Sequence, residues 1–116
     1  MTGTVLIVED ELFIALDLED TVKAAGCTVS ATCGSLSAAM EAIENQLPTC
    51  AILDVRLPDG EVFPAADRLR NAGVALIFHS GHADERQLKE RYPEADVYSK
   101  PCSPSRLRDA VMRAVA

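Results

Sequence analysis

Five strand-like segments alternate along this chain with five stretches that have the periodicity of amphipathic helices. Most of the strand-like segments are short apolar runs bounded by turn residues, which is typical of buried strands. They cover residues 4–8, 27–32, 51–54, 74–78 and 95–99. This alternation predicts an α/β fold in which helices cover both faces of a parallel sheet. Right-handed crossovers leave a five-stranded doubly wound sheet as the simplest topology.

Helix signals between these segments fix where the helices start and which side they bury. Ser35 and Ser103 are suited to cap the second and fifth helices, and Pro64 and Pro104 fit only in a first turn. The predicted buried stripes consist of Ala15, Leu18, Val22 and Ala25; Leu36, Ala39, Met40, Ile43 and Leu47; and Leu107, Val111 and Val115. The fourth helix, about residues 83–91, has Leu88 as its one large apolar residue, so we expect it to be the least stable element.

Composition narrows the class of protein further. The 116 residues suit one domain, and the net charge of −7 argues against direct nucleic-acid binding, which needs basic patches. No apolar run approaches the roughly 20 residues that span a bilayer, and no signal peptide is evident, so we expect a cytoplasmic protein. The four cysteines are dispersed without a C-x-x-C pair, and the three that lie in or beside apolar runs are expected to be small buried hydrophobes.

Polar residues stand at the ends of four of the five predicted strands. Glu9 and Asp10 follow the first, Asp54 ends the third, Ser80 follows the fourth and Lys100 the fifth. The carboxyl ends of parallel strands share one edge of the sheet, where three carboxylates repel each other unless a cation offsets them. Oxygen ligands of this kind suit Mg²⁺. A lysine and a hydroxyl at the same edge suit a phosphoryl group.

Each of these residues also has a simpler explanation when it is taken alone. Glu9 and Asp10 fit a solvated helix N-terminus, and Asp54 fits a turn. Ser80 fits an ordinary loop, and Lys100 an ordinary surface. Because these explanations would have to hold together at four strand ends, a shared site is the better interpretation.

Other chemistries find less support in the same residues. His79 and His82 flank Ser80, but a nucleophilic serine would require a G-x-S-x-G elbow and an acid partner for the histidine. The two histidines lack a nearby cysteine that would complete a transition-metal site. No strand is followed by a glycine-rich dinucleotide motif or a P-loop.

The sequence resembles the receiver domain of two-component response regulators over essentially its whole length. The matching motifs are residues 5–11, residues 53–60, Ser80-Gly81 and Lys100-Pro101. Residues 78–82, Phe-His-Ser-Gly-His, are similar to the Phe-Ala-Thr-Gly-Tyr signature of a subgroup of stand-alone receivers. The resemblance implies a single receiver domain over residues 1–116 with a flavodoxin-like (CheY-like) sheet of strand order 2-1-3-4-5.

The resemblance also implies a function. Asp54 would accept a phosphoryl group from a phosphohistidine on a sensor histidine kinase or histidine phosphotransfer protein. Mg²⁺ (or Mn²⁺) would be held by Asp10, Asp54 and the backbone carbonyl of Arg56, with Glu9 acting through water. Lys100, joined to Pro101 by a cis peptide bond, would offset charge, and Ser80 would bind the transferred group. Slow Mg²⁺-dependent autodephosphorylation would follow, so the domain is a phosphoacceptor rather than a conventional enzyme.

One departure from the family concerns the switch. Many receivers place an aromatic residue three positions before the lysine, but Val97 occupies that position here and Tyr98 follows it. Alternation along a strand puts these two side chains on opposite faces. We therefore expect the thinly packed fourth helix to respond to phosphorylation in place of a moving aromatic ring.

Several alternatives remain beside a signalling module that works by binding partners. The chain ends with its fifth predicted helix, which favours a stand-alone receiver, whereas a longer reading frame would make it the receiver fragment of a DNA-binding transcriptional regulator. A phosphatase of the haloacid dehalogenase type would want an aspartate where Arg56 stands. A receiver used only as a scaffold would not need Asp10, Asp54, Ser80 and Lys100. The resemblance allows an output protein as partner and a homodimer through the fourth helix, fifth strand and fifth helix.

Overall fold

The computed structural model describes residues 3–81 and 85–116. Its strands are β1 (Thr4–Val8), β2 (Thr28–Cys33), β3 (Cys50–Leu53), β4 (Arg56–Leu57), β5 (Gly60–Glu61), β6 (Ala75–Ser80) and β7 (Asp96–Ser99). Its helices are α1 (Leu12–Ala24), α2 (Leu36–Asn45), α3 (Phe63–Asn71), α4 (Glu85–Arg91) and α5 (Pro104–Val115). The strand–helix alternation is therefore confirmed, and the sequence missed only the two-residue strands β4 and β5.

Five parallel strands form the main sheet in the order β2-β1-β3-β6-β7, which is 2-1-3-4-5 when only these strands are counted. The predicted doubly wound topology is confirmed. The strand order reverses between β1 and β3, and open α/β sheets bind ligands outside the carboxyl ends at such a reversal. The polar residues after β1 and β3 thus stand at the crevice that the topology creates.

Side chains alternate between two apolar layers, one on each face of the sheet. Leu6 and Val8 of β1 face the layer that contains buried residues of α2 and α3, whereas Val5 and Ile7 face the layer with α1 and α5. Buried residues of these helices are Leu18 and Val22; Ala39 and Ile43; Ala65, Ala66 and Leu69; and Leu107, Ala110 and Val111. The predicted stripes of α1, α2 and α5 are confirmed at these positions.

The predicted caps are also present. The Ser35 hydroxyl accepts a hydrogen bond of 3.1 Å from the Ala38 N–H, and the Ser103 hydroxyl accepts one of 3.4 Å from the Arg106 N–H. Leu47 was expected on the buried side of α2, and this expectation is wrong because Leu47 is exposed. The helix ends at Asn45, Gln46 is already extended, and the following proline disfavours helical backbone at the residue before it.

Helix α4 is short and buries Leu88, as predicted, but Tyr92 directly after it provides an anchor that the sequence did not reveal. Tyr92 is fully buried, its ring lies 5.2 Å from that of Phe78, and its hydroxyl donates a 2.6 Å hydrogen bond to Asp67 of α3. The predicted start of the helix at Ala83, like His82, lies outside the described residues.

Three of the cysteines behave as the sequence predicted. Cys27, Cys33 and Cys50 are buried free thiols, and Cys102 is half-buried after β7. Among the described residues, no helix has both the length and the apolar character needed to cross a membrane.

Candidate functional site

Three carboxylates meet at the carboxyl ends of the neighbouring strands β1 and β3. The Asp54 N–H donates to the carbonyl of Val8 at 2.9 Å, so the residue after β3 is still held against β1. One carboxylate oxygen from each of Glu9, Asp10 and Asp54 lies within 4.8 Å of the other two. Glu9 and Asp54 are buried, and Asp10 is exposed. The structure thus brings together the three acids that the strand ends predicted.

Lys100 reaches the same place from the end of β7. The backbone N–H of Lys100 donates a hydrogen bond of 3.1 Å to the Ser80 carbonyl, and this bond aligns the ends of β6 and β7. The Lys100 ammonium nitrogen lies 2.6 Å from Glu9 Oε1 and 3.0 Å from Asp54 Oδ2. The Lys100-Pro101 peptide bond is cis, as the family resemblance implied.

Burial and hydrogen bonding at this site shift the pKa values of Glu9 and Lys100. Burial raises the pKa of Glu9 above its ordinary 4.5, although hydrogen bonds from Lys100 and from the Glu11 N–H oppose the rise. Burial alone would lower the pKa of Lys100, but its hydrogen bonds to Glu9 and Asp54 outweigh this and raise it. Burial is therefore the main cause of the shift at Glu9 and hydrogen bonding the main cause of the shift at Lys100, and both shifts favour the protonated forms. Separately, the three carboxylates outnumber the one ammonium group, and a bound cation would offset that excess of negative charge.

A cleft of about 230 Å³ opens at this edge of the sheet. Its lining includes Asp10, Asp54, Arg56, Ser80 and Lys100. Ser80 is buried at the end of β6. The residues that the sequence singled out at the four strand ends, except Glu9, therefore line one small polar cleft with an acidic side and a basic side. Glu9 lies beside this cleft, where it pairs with Lys100.

The cleft and its donors fit a hard divalent cation. Oxygen ligands with room for water and phosphate oxygens are what Mg²⁺ prefers, and carboxylate oxygens gathered within 4.8 Å supply such ligands. Lys100 contacts two of the three carboxylates and partly neutralises them. The donor set contains neither sulfur nor imidazole, which a site for a softer metal would require.

Asp59 is a residue at this edge of the sheet whose contacts the sequence did not reveal. It lies between β4 and β5, an antiparallel pair in which Arg56 is opposite Glu61 and Leu57 is opposite Gly60. The Asp59 carboxylate accepts hydrogen bonds from the N–H groups of Leu36 at 2.7 Å and Ser37 at 3.0 Å. These bonds lower the pKa of Asp59. No local sequence pattern indicates that the hydrogen-bond donors to Asp59 lie more than twenty residues away in the chain.

His79 lies beside Ser80 but offers no route to a serine nucleophile. The imidazole is buried, and within residues 3–81 and 85–116 neither ring nitrogen has a hydrogen-bond partner. Burial, with a smaller contribution from the nearby Lys100 charge, lowers its pKa. A serine base needs an acid that orients it, and His79 has none among these residues.

Comparison with known proteins agrees with this architecture. The sequence pattern of the response regulator receiver domain matches residues 5–112. The transcriptional regulatory protein PdtaR of Mycobacterium tuberculosis is 31% identical over 115 residues, covering 97% of this chain and 56% of that protein. The phyllosphere-induced regulator PhyR of Methylorubrum extorquens is 29% identical over 118 residues, covering 99% of this chain and 44% of that protein. The chain thus spans about half the length of these curated relatives.

A solved structure gives the same result for the fold. The solution NMR structure of the receiver domain of the Erythrobacter litoralis response regulator PhyR matches with a TM-score of 0.85 at 29% sequence identity. The match covers 98% of this chain and 90% of that domain. The family pattern spans nearly all of the described strands and helices, including every residue of the cleft. The chain therefore belongs to the family of response regulator receiver domains of two-component systems.

Proposed function

We propose that Asp54 accepts a phosphoryl group from a phosphohistidine on a sensor histidine kinase or histidine phosphotransfer protein. The observation that carries this proposal is the position of the Asp54 carboxylate, 3.0 Å from the Lys100 ammonium group and grouped with Glu9 and Asp10. A carboxylate that attacks a phosphoryl group needs positive charge nearby, because both reactants are negative.

In this reaction one Asp54 oxygen forms a bond to phosphorus while the bond between phosphorus and the donor imidazole nitrogen breaks. The products are an aspartyl phosphate and a free histidine on the partner. Lys100 offsets charge on the phosphoryl oxygens, and the Ser80 hydroxyl donates a hydrogen bond to one of them. Later attack by water returns the Asp54 carboxylate and inorganic phosphate, so the signal is self-limiting.

Mg²⁺, or Mn²⁺ in its place, fits the acidic side of the cleft. Asp10, Asp54 and the backbone carbonyl of Arg56 would hold it, and Glu9 would act through a water molecule. When bound, the ion offsets negative charge on the phosphoryl oxygens. The support for this assignment is the set of oxygen donors within 4.8 Å and the excess of carboxylates over ammonium groups.

The beginning of α1 is suited to receive the phosphoryl donor. Leu12 is 67% exposed and Phe13 is 81% exposed, and both follow directly on Asp10 and Glu11 at the rim of the cleft. Exposed apolar side chains beside a reactive group favour a protein partner over a small substrate. We place the kinase or phosphotransfer protein on this surface and on the loop that contains Cys102.

The readout of phosphorylation is expected to involve α4. Val97 packs in the layer with α2 and α3, whereas Tyr98 lies on the opposite face, where its hydroxyl accepts a hydrogen bond from Arg113. An aromatic ring that rotates between two faces is therefore not the simplest device here. Adding beryllofluoride and Mg²⁺ should slow amide exchange in residues 85–91, and unchanged exchange there would refute this readout.

A second candidate function is that of the receiver part of a longer transcriptional regulator. The observation that favours it is the match of 97% of this chain to 56% of a transcriptional regulatory protein. A reading frame that continues beyond Ala116 into an output domain would decide for it. A stand-alone chain would instead bind a separate output protein. In both cases we place the domain in the cytoplasm, without direct contact between the domain and nucleic acid. The domain could also form a homodimer, which analytical ultracentrifugation with and without beryllofluoride would test.

Fluorine NMR of beryllofluoride tests the proposed phosphoacceptor directly, because this anion mimics a phosphoryl group on a carboxylate. The wild-type chain should give a bound fluorine resonance that requires Mg²⁺. Asp54→Asn should abolish it, and Asp20→Asn, which neutralises an exposed acid on α1, should leave it unchanged. A bound resonance that persists in Asp54→Asn would contradict the proposal.

A further inference from the structure

The Asp59 carboxylate caps the N-terminal end of α2, although Asp59 lies more than twenty residues later in the chain. The first backbone N–H groups of a helix lack partners within the helix. Ser35 accepts from the N–H of Ala38, while Asp59 accepts from those of Leu36 and Ser37 at 2.7 and 3.0 Å. A negative charge at this end is also favoured by the helix dipole. Asp59 therefore joins the segment after β3 to the start of α2 through two charge-assisted hydrogen bonds.

The segment that presents Asp59 is continuous with the floor of the cleft. It runs from Asp54 to α3, and the Val62 N–H donates to the Val55 carbonyl at 2.9 Å across its base. Leu57 is buried in the apolar layer, and the β4–β5 pair sets the position of the turn between them. Arg56 of this pair lines the cleft. A restraint on Asp59 is therefore also a restraint on the backbone at Arg56.

The other end of the restraint lies against the acids that follow β1. The Glu9 N–H donates to the Cys33 carbonyl at 2.8 Å. Gly34 follows, and a β-carbon at that position would lie 3.9 Å from both Asp10 Cα and the Glu9 carbonyl oxygen. The turn into α2 is therefore packed on the backbone of Glu9 and Asp10. Through α2, Asp59 connects the segment after Asp54 to these two acids.

We propose that Asp59 is a positioning residue that holds the Arg56 backbone in register with Glu9, Asp10 and Asp54 and so preforms the divalent-cation site. The inference rests on the proposed function for the identity of the cation. It adds a residue that touches neither the ion nor the phosphoryl group. When the segment after Asp54 is already ordered, less of the binding free energy is lost in ordering it. Asp59 should therefore raise the affinity for Mg²⁺.

The role to be separated from positioning is simple capping of α2. Ser35→Ala removes a cap from the same helix end without releasing the Arg56 segment, so it is the matched control for stability. Glu61→Gln neutralises an exposed carboxylate in the same β4–β5 pair and controls for charge near the site. Asp59→Asn keeps one acceptor oxygen and should behave between wild type and Asp59→Ala.

The experiment is a titration of each metal-free protein with Mg²⁺, followed by amide chemical shifts in NMR spectra, with thermal unfolding measured separately without metal. We expect Asp59→Ala to raise the Mg²⁺ dissociation constant about tenfold, as is typical when a residue that orients a metal ligand is lost. Ser35→Ala should lower the unfolding temperature as Asp59→Ala does, yet both Ser35→Ala and Glu61→Gln should keep the dissociation constant within about twofold of wild type.

Two results would overturn the inference in different ways. Saturable Mg²⁺ binding by wild type, with the same dissociation constant in Asp59→Ala or, if that variant is unfolded, in Asp59→Asn, would refute the positioning role alone. Absence of saturable Mg²⁺ binding by wild type would refute the positioning role together with the metal assignment of the proposed function.

Discussion

Glu9 and Lys100 form an ion pair of 2.6 Å in which the Glu9 side chain is 1% exposed and the Lys100 side chain 16% exposed. The same ammonium group lies 3.0 Å from Asp54. One lysine therefore neutralises part of an acidic cluster whose members repel each other. Because a buried charge without a partner is costly, this lysine contributes to stability as well as to the proposed chemistry.

Replacing Lys100 should expose this double role. Lys100→Met leaves Glu9 and Asp54 without their cation, and we expect it to lower the free energy of unfolding by about 2 kcal/mol in metal-free buffer. Mg²⁺ should stabilise the variant more than it stabilises wild type, since no ammonium group competes for the carboxylates. Urea unfolding with and without Mg²⁺ measures both effects.

A control for this change is Lys23→Met, because Lys23 is an exposed lysine at the end of α1. Its free energy of unfolding should stay within about 0.5 kcal/mol of wild type. If Lys100→Met changed the free energy of unfolding in metal-free buffer as little as Lys23→Met does, the ion pairs of Lys100 with Glu9 and Asp54 would contribute nothing to stability.

The Tyr92–Asp67 hydrogen bond should anchor the end of α4 to α3. Tyr92→Phe keeps the ring against Phe78 and removes only the hydroxyl, so we expect a loss of about 1 kcal/mol in the free energy of unfolding. Tyr98→Phe removes a hydroxyl that accepts from the exposed Arg113 and should cost less. Equal losses in the two variants would contradict a special role for the bond to Asp67.

This bond also predicts a pH dependence on the acid side. The hydrogen bond from Tyr92, aided by Arg91, holds the pKa of Asp67 below its ordinary 3.8. A lowered carboxyl pKa contributes stability that is present above the unfolded value and is lost as pH falls through the folded value. Between about pH 5 and about pH 2, wild type should therefore lose more stability through Asp67 than Tyr92→Phe does. NMR titration of the Asp67 carboxyl in both proteins measures the underlying pKa values.

The cysteines should differ sharply in reactivity. Burial raises the pKa of Cys50 to about 12 and also raises that of Cys33, so few thiolates form there at neutral pH. Cys102 is half-buried and accessible by comparison. Iodoacetamide should modify Cys102 before the other three in native protein, as peptide mapping by mass spectrometry would show. Faster labelling of Cys50 would contradict the buried packing of β3.

The sequence predicted most of the fold because its signals are local. Strand runs such as residues 4–8 and caps such as Ser35 need only neighbouring residues to be recognised. The prediction for Leu47 was wrong because its spacing continues the α2 stripe. The helix ends at Asn45, two residues before Leu47, and Pro48 disfavours helical backbone at Leu47. The acids and the lysine were placed correctly because parallel strands deliver their last residues to one edge.

Asp59 and Tyr92 could not be assigned in this way because their partners lie far along the chain. Asp59 reads as a turn residue, and nothing near it indicates that its carboxylate binds the N–H groups of Leu36 and Ser37. Tyr92 lies four residues after Leu88 and so on the same face as that residue, but nothing near it in the sequence indicates that it packs on Phe78 and bonds to Asp67. Such contacts follow from the tertiary arrangement, which sequence periodicity does not encode.

The central claim is that Asp54 is the phosphoacceptor, and intact-protein mass spectrometry tests it most directly. The purified chain is incubated with acetyl phosphate and Mg²⁺ beside Asp54→Asn, and a third sample contains wild type with a chelator. Wild type should gain the mass of one phosphoryl group, which should be absent from Asp54→Asn and from the chelated sample. Equal phosphorylation of wild type and Asp54→Asn, or none in wild type with Mg²⁺, would contradict the account.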